Sequence, residues 1–91
     1  MAPRTLDQIP LSEDGGAIVL LDWMEVPDGC NLVRVDEVGE ILWKAVPPRN
    51  PGDCFIQLRR DGDVLKANTF SGFLVSIGID DGAVTVLEFT K

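Results

Sequence analysis

Turn-forming residues interrupt this chain every few positions from Gly15 onward, and this spacing limits what it can fold into. Gly, Pro, Asn or Asp closes each short apolar or alternating run, and no stretch of ten or more residues places apolar side chains at helical spacing. Short alternating runs bounded by turn signals are typical of antiparallel strands. The sequence therefore predicts an all-β fold of about seven antiparallel strands.

The strands fall into two groups separated by a proline-rich loop. The predicted strands are residues 17–21, 31–36, 40–46, 54–59, 64–68, 73–77 and 83–90. Between the third and the fourth lies Pro47-Pro48-Arg49-Asn50-Pro51-Gly52, which cannot join a hydrogen-bonded ladder. Each group buries its apolar face best against the other. We expect two blade-like meander sheets packed as a small sandwich.

The segment before Gly15 follows a different pattern. Pro3 and Pro10 prevent a helix there, and we expect residues 1–14 to form an extended N-terminal arm. Residues 15–91 then make a single β domain, as suits a chain of 91 residues.

The domain contains a weak internal repeat. The segment from Leu32-Val33-Arg34-Val35 through Gly39 to Trp43 resembles the segment from Leu74-Val75-Ser76-Ile77 through Gly82 to Val86. The spacing of about 42 residues matches the length of one four-stranded propeller blade. We expect pseudo-repeats at about 15–46 and 53–91, although two hairpins rich in valine and leucine can also align by chance.

The repeat resembles a known family. Asp61-Gly62-Asp63-Val64-Leu65-Lys66-Ala67 and Asp81-Gly82-Ala83-Val84 look like the acidic-Gly turns of the quinoprotein-type (PQQ-like) β-propeller blade repeat. Gly39-Glu40-Ile41-Leu42-Trp43 is similar to the Gly-x-x-x-Trp segment of that repeat's tryptophan-docking motif. The second copy has Val86 in place of the tryptophan. The resemblance implies about two blade-like units. The family's quinone or metal sites need a whole ring, so the resemblance places no such site on these residues.

Charge and composition exclude several classes of partner. Residues 1–43 hold nine acids and two bases, a balance of −7, whereas residues 44–91 hold six of each. Arg59-Arg60 is the largest basic cluster, so neither nucleic acid nor an anionic membrane is an expected partner. No apolar run approaches the roughly 18 residues of a membrane-spanning helix, and the first fifteen residues lack the apolar stretch of a secretion signal. We therefore expect a soluble, cytoplasmic protein whose Cys30 and Cys54 are free thiols.

The composition also disfavours common catalytic groups. The chain has no histidine, which removes Ser-His-Asp and Cys-His arrangements and the commonest metal ligand. Asp53 beside Cys54 and Asp28 beside Cys30 would raise a thiol pKa rather than lower it. The paired acids Asp36-Glu37, Asp61/Asp63 and Asp80-Asp81 all lie at turns, where Asp commonly bonds nearby backbone. We expect no cofactor, no metal site and no enzyme. A carboxylate-dependent enzyme is the last alternative.

The remaining candidates are binding residues. Trp23 lies in Asp22-Trp23-Met24-Glu25, an apolar pair flanked by acids, as at an interface anchor with a charged rim. Phe70 lies at a turn, where its side chain either folds over the core or contacts a partner. Trp43 shares one face of its strand with Ile41 and Ala45, so we expect it in the core. We expect a non-catalytic, acidic protein-binding module that contacts a possibly basic protein through Trp23, Glu25, Asp28 and Phe70. An immunity or inhibitor protein would be one example. The alternative is a homo-oligomeric structural protein, with a homodimer as its simplest form.

Overall fold

The computed structural model describes residues 4–11, 15–49 and 52–89. It contains eight strands and one short 3₁₀ turn, Trp23–Glu25. The strands are β1 (Thr5–Pro10), β2 (Ala17–Leu21), β3 (Leu32–Val35), β4 (Ile41–Ala45), β5 (Phe55–Asp61), β6 (Val64–Thr69), β7 (Phe73–Ile77) and β8 (Val84–Phe89). The all-β prediction is confirmed, with one strand more than expected.

The strands form two antiparallel meanders. The first sheet has the order β1-β2-β3-β4 and the second has the order β5-β6-β7-β8. All neighbouring strands are antiparallel and consecutive in the chain, so each sheet is built from hairpins alone. The two sheets share one core and approach each other most closely at β1, β2 and β5. The predicted sandwich of two meanders is thus observed.

Of the segment 1–14 that we expected to be an extended arm, the structure describes residues 4–11, and Thr5–Pro10 is a strand of the first sheet. Residues 1–3 and 12–14 lie outside the described residues. The strand pairs along β2 from Thr5 opposite Leu21 to Pro10 opposite Ala17. A proline is tolerated there because β1 is an edge strand and Pro10 is its last residue. The first structural unit therefore begins before Gly15.

The core lies between the two sheets and is built from alternate residues of each strand. In the first sheet Leu20, Leu32 and Ala45 lie side by side in the core, together with Ile18 two positions before Leu20. In the second sheet the buried core side chains lie in two rows, Leu65-Ile77 and Leu58-Ala67-Val75, together with Phe55 at the start of β5. The period of two in the sequence thus decides which side chains are buried.

The two outer faces differ in chemistry. The outer row at the centre of the first sheet is Gln8, Val19, Val33 and Lys44, and both of its valines are buried. The outer rows of the second sheet are almost wholly polar. They are Arg59-Lys66-Ser76-Thr85 and Gln57-Asn68-Leu74-Glu88. The second sheet thus has the ordinary pattern of one buried and one solvated face, whereas the first is apolar at the centre of both faces.

Trp43 joins the two sheets away from their closest approach. Its indole Nε1 donates a hydrogen bond of 2.8 Å to the carbonyl of Ile79, in the turn between β7 and β8. Gly82 in the same turn has a φ of +74°, and a Cβ there would lie 2.6 Å from Cδ2 of Trp43. The ring therefore packs flush against the turn, and only glycine fits both the space and the dihedral angle. Trp43 is half-buried against the core, as predicted.

Candidate functional site

Three connections lie together at one end of the sandwich, where β2, β4 and β6 end. They are residues 22–31, residues 46–54 apart from the undescribed 50 and 51, and residues 70–72, and we call them the loop end. Phe70 N–H donates to the Cys54 carbonyl at 2.9 Å, and Asn31 bonds to Phe55. The loop end is therefore a single connected surface made from both sheets.

The 3₁₀ turn is held at both of its ends. The Asp22 side chain caps it by accepting a hydrogen bond of 2.9 Å from the N–H of Met24. Glu25 Oε1 accepts a bond of 3.0 Å from the N–H of Arg4, while Asp22 N–H donates to the Arg4 carbonyl at 2.7 Å. Trp23 and Met24 are therefore presented on a fixed backbone, with exposed fractions of 38% and 82%.

Phe70 is presented from a second fixed turn. Besides the bond from its own N–H to Cys54, the turn is closed by Gly72 N–H donating to the Thr69 carbonyl at 3.1 Å. The Phe70 side chain is 67% exposed, so it does not fold over the core. Of the two alternatives that the sequence left open, the structure has the exposed one.

The buried Asp53 connects the loop between β4 and β5 to this turn. Its carboxylate accepts the Ser71 N–H at 3.0 Å, the Ser71 hydroxyl at 2.5 Å and the Cys54 N–H at 2.9 Å. Burial acts to raise the pKa of Asp53, but these hydrogen bonds, together with one from Thr69, outweigh burial and hold it below its usual value. The ionised carboxylate thus fixes the position of the residues beside Phe70.

Asn31 and Gly29 bring the β2–β3 connection against β5. The fully buried Asn31 amide donates to the carbonyls of Leu21 and Phe55 at 2.8 and 2.7 Å and accepts the Phe55 N–H at 2.9 Å. Gly29, with φ of +76°, lies so close to the Asp53 carbonyl that any Cβ would collide with it. These contacts fix the β2–β3 connection relative to the second sheet.

The four residues proposed from the sequence all lie at the loop end. Trp23 and Glu25 form the ends of the 3₁₀ turn, Asp28 follows on the same connection, and Phe70 lies on the β6–β7 turn. Both carboxylates accept hydrogen bonds from backbone N–H groups: Glu25 from Arg4, and Asp28 Oδ1 from Cys30 at 2.9 Å. These bonds hold the carboxylates in place while they contribute negative charge to the surface.

Sequence reasoning missed Met24 as a candidate. It is more exposed than Trp23, although the sequence places both in the same acid-flanked pair. The sequence alone does not show which of the two side chains is more exposed, because the 3₁₀ turn that directs them to different sides is known only from the structure. Asn31 and Gly29 were missed as well, since their partners lie far along the chain and leave no local pattern.

Both thiols lie at the loop end, each close in sequence to an aspartate. Burial, and then Asp28, raise the pKa of Cys30 against an opposing influence of Lys44, while burial and Asp53 raise the pKa of Cys54. This is the direction expected from the neighbouring acids. Both cysteines are free thiols in this structure. A thiol with a raised pKa is a poor nucleophile at neutral pH.

A second concave region lies at the opposite end. This open cleft of about 730 Å³ is lined mainly by the β7–β8 turn and by Arg34, Arg60 and Asp63. Two of its polar side chains donate hydrogen bonds to backbone carbonyls in turns: Arg34 to Ile79 at 2.8 Å, and Arg60 Nε to Gly62 at 3.0 Å. Asp81 Oδ1 likewise accepts the Ala83 N–H at 2.9 Å. The groups that line the cleft thus stabilise turns, and the loop end remains the stronger candidate.

Two further features of the described residues bear on possible functions. Within residues 4–11, 15–49 and 52–89, no cluster of three or more potential metal ligands is placed to hold an ion. Within the same ranges, no helix has the length and apolar character needed to cross a membrane. Comparison with known proteins gives no match among family models, curated proteins or solved structures.

Proposed function

We propose that this chain is a non-catalytic protein-binding module that contacts a basic protein partner through its loop end. The observation that carries the proposal is the exposure of Met24 and Phe70 on backbone turns that are fixed by hydrogen bonds. Large apolar side chains at the centre of an interface supply much of its binding energy. A fixed backbone lowers the entropy lost on binding, which strengthens the complex.

The charge distribution supports a basic partner. The connection from Asp22 to Asn31 holds three acids and no base, and the whole first half of the chain has a balance of −7. Acidic groups around an apolar centre speed the approach of a basic surface and disfavour acidic competitors. The proposed contact therefore has Trp23, Met24 and Phe70 as anchors, with Glu25 and Asp28 at the rim.

Affinity capture with matched variants tests this proposal. The tagged chain is mixed with a lysate of its own host, and the bound proteins are identified by mass spectrometry. Met24→Ser and Phe70→Ser should each remove the same captured protein. Val38→Ser is the control, because Val38 is similarly exposed but lies in the β3–β4 turn at the opposite end.

The captured protein should have a basic sequence, and its binding should weaken as salt is added. If Val38→Ser removes it as fully as Met24→Ser does, the contact is not at the loop end. If the protein is retained by Met24→Ser and Phe70→Ser alike, the proposal is refuted.

A further inference from the structure

The two sheets have four edge strands, and two of these are protected by the fold itself. β1 and β5 approach each other across the sandwich, and each has a register irregularity near its start, between Thr5 and Asp7 and between Phe55 and Gln57. β1 also ends at Pro10, and β5 carries a run of charged residues at its end. Bulges, prolines and charges all discourage another strand from pairing with an edge.

β4 is protected by charge and by its neighbours. Asp36, Glu37 and Glu40 precede it, Lys44 lies within it, and two prolines follow it. Trp43 is also tied to the turn of the second sheet through the Ile79 carbonyl. A second acidic copy of this edge would meet strong like-charge repulsion.

β8 is the least protected of the four edges, although its ladder with β7 also shifts register, between Leu74 and Val75. Val84–Phe89 contains one charge, Glu88, and neither glycine nor proline. Its last five residues are all exposed, and among the residues that the structure describes no strand pairs with its outer side. A six-residue exposed edge of high β-propensity is a template for pairing with another chain.

The chain itself supplies a suitable partner for this edge. Residues 44–91 carry six acids and six bases, so two copies meeting at the second sheet bring together halves with no net charge. Two copies meeting at the first sheet would instead place −7 against −7. Charge balance therefore favours a second copy at β8.

The strand is also complementary to itself in one antiparallel register. In the pairing with β7, Val84 and Phe89 face inward while Thr85 and Glu88 face outward. Leu87 has no partner in β7, because the register shifts between Leu74, opposite Glu88, and Val75, opposite Val86. Pairing Val84 with Phe89 and Thr85 with Glu88 of a second copy keeps apolar residues on the inner face and polar residues on the outer face. It also leaves Glu88 opposite a hydroxyl rather than another carboxylate.

We propose that the protein forms a symmetric homodimer in which the β8 strands of two copies pair antiparallel, joining their second sheets into one eight-stranded sheet. The dimer does not depend on the proposed binding function, because it leaves the loop ends of both copies open. A six-residue edge covers less surface than the roughly 800 Å² per partner of a standard stable interface. We therefore expect a weak dimer, with a dissociation constant on the order of 0.1 mM.

Sedimentation velocity from micromolar to millimolar protein tests the dimer. The wild type should move from the 9.9 kDa monomer toward twice that mass as concentration rises. Leu87→Lys places two lysines next to the two-fold axis and should weaken association at least tenfold. Leu42→Lys is the matched control, since Leu42 lies on the other outer edge with an exposed fraction of 52% against 49% for Leu87.

Amide hydrogen exchange gives a second measurement that does not depend on a variant folding. Raising the wild-type concentration should protect amides of β8 and leave those of β4 unchanged. The proposal is overturned if the wild type stays monomeric at millimolar concentration. It is also overturned if Leu42→Lys disrupts the dimer as much as Leu87→Lys does, or if concentration protects β4 instead.

Discussion

Replacing Asn31 by alanine should destabilise the protein more than most single substitutions in a domain of this size. The substitution removes three hydrogen bonds and leaves the buried N–H and carbonyl of Phe55 without their partner. Each buried polar group left unsatisfied costs about 1–3 kcal/mol. Together with partial loss at the Leu21 carbonyl, we expect a decrease of roughly 3–5 kcal/mol in the free energy of unfolding. This is a large part of the ~5–15 kcal/mol that stabilises a typical domain.

Urea titration and thermal melting measure this loss. The melting temperature of Asn31→Ala should fall by at least about 12 °C, given about 4–8 °C per kcal/mol for a domain of this length. Asn68→Ala, at a half-buried position on the outer face of the second sheet, is the control and should change little. If Asn31→Ala melts within about 4 °C of the wild type, Asn31 does not join the two sheets as we infer.

The charge of the same position can be varied. Asn31→Asp keeps the shape but places a carboxylate against two carbonyl oxygens, so it should be less stable than Asn31→Ala at neutral pH. Burial raises the pKa of such a carboxyl in the folded state, and its penalty should therefore shrink as pH falls toward the unfolded value of about 3.9. Stability curves of the variant between acidic and neutral pH measure this trend.

Three further predictions concern the turns and the thiols. Gly82→Ala should lower the free energy of unfolding by about 2–3 kcal/mol, because its Cβ collides with Trp43 and its φ is positive. Gly39→Ala is the control, since its Cβ meets open space and only the positive φ is penalised. Equal losses of the two variants on chemical unfolding would contradict the packing of Trp43 against Gly82. The lowered pKa of Asp53 means that its stabilisation is complete above the unfolded pKa of about 3.9 and is lost as pH falls through the folded pKa. Asp53→Asn should therefore show a flatter decline in stability in acid than the wild type, and parallel acid titrations would refute this. Alkylation of Cys30 and Cys54, followed by mass spectrometry, should be slower than that of a free model thiol at neutral pH and should accelerate as pH rises.

Local patterns in the sequence were sufficient for seven of the eight strands. Each predicted run, from Ala17–Leu21 to the last strand, alternates or is apolar and ends at a turn residue, which is all that a hairpin requires. β1 could not be recognised in this way. Its register shifts between Thr5 and Asp7, so Leu6 and Ile9 lie three positions apart and the period of two is lost.

The candidate site could be predicted only in part. The acids beside Trp23 and the turn around Phe70 are local features, and both candidates lie at the loop end. The contacts that make the loop end one surface connect residues distant in sequence, such as Asn31 with Phe55 and Gly29 with Asp53. No single stretch of sequence encodes such contacts, and so the high exposure of Met24 followed only from the structure.

The internal repeat bears on how the protein can associate. In the sequence alignment Leu32 matches Leu74 and Val33 matches Val75, yet Leu32 and Val75 belong to the shared core whereas Val33 and Leu74 face outward. Side chains that the alignment matches thus point in opposite directions, one into the shared core and the other outward. We propose that one duplicated unit gave rise to both sheets, which is also supported by the matching irregularities near the starts of β1 and β5.

The two outer faces do not fit each other. The outer face of the first sheet has Val19 and Val33 at its centre, both already buried, whereas the outer face of the second sheet carries Arg59, Lys66 and other polar residues. Stacking copies through the outer face of the second sheet would desolvate these polar groups, which is unfavourable. Two copies of the first sheet would instead oppose their acidic halves. Self-association is therefore directed away from the faces and toward the edge strand β8, while the loop end stays available to a different partner.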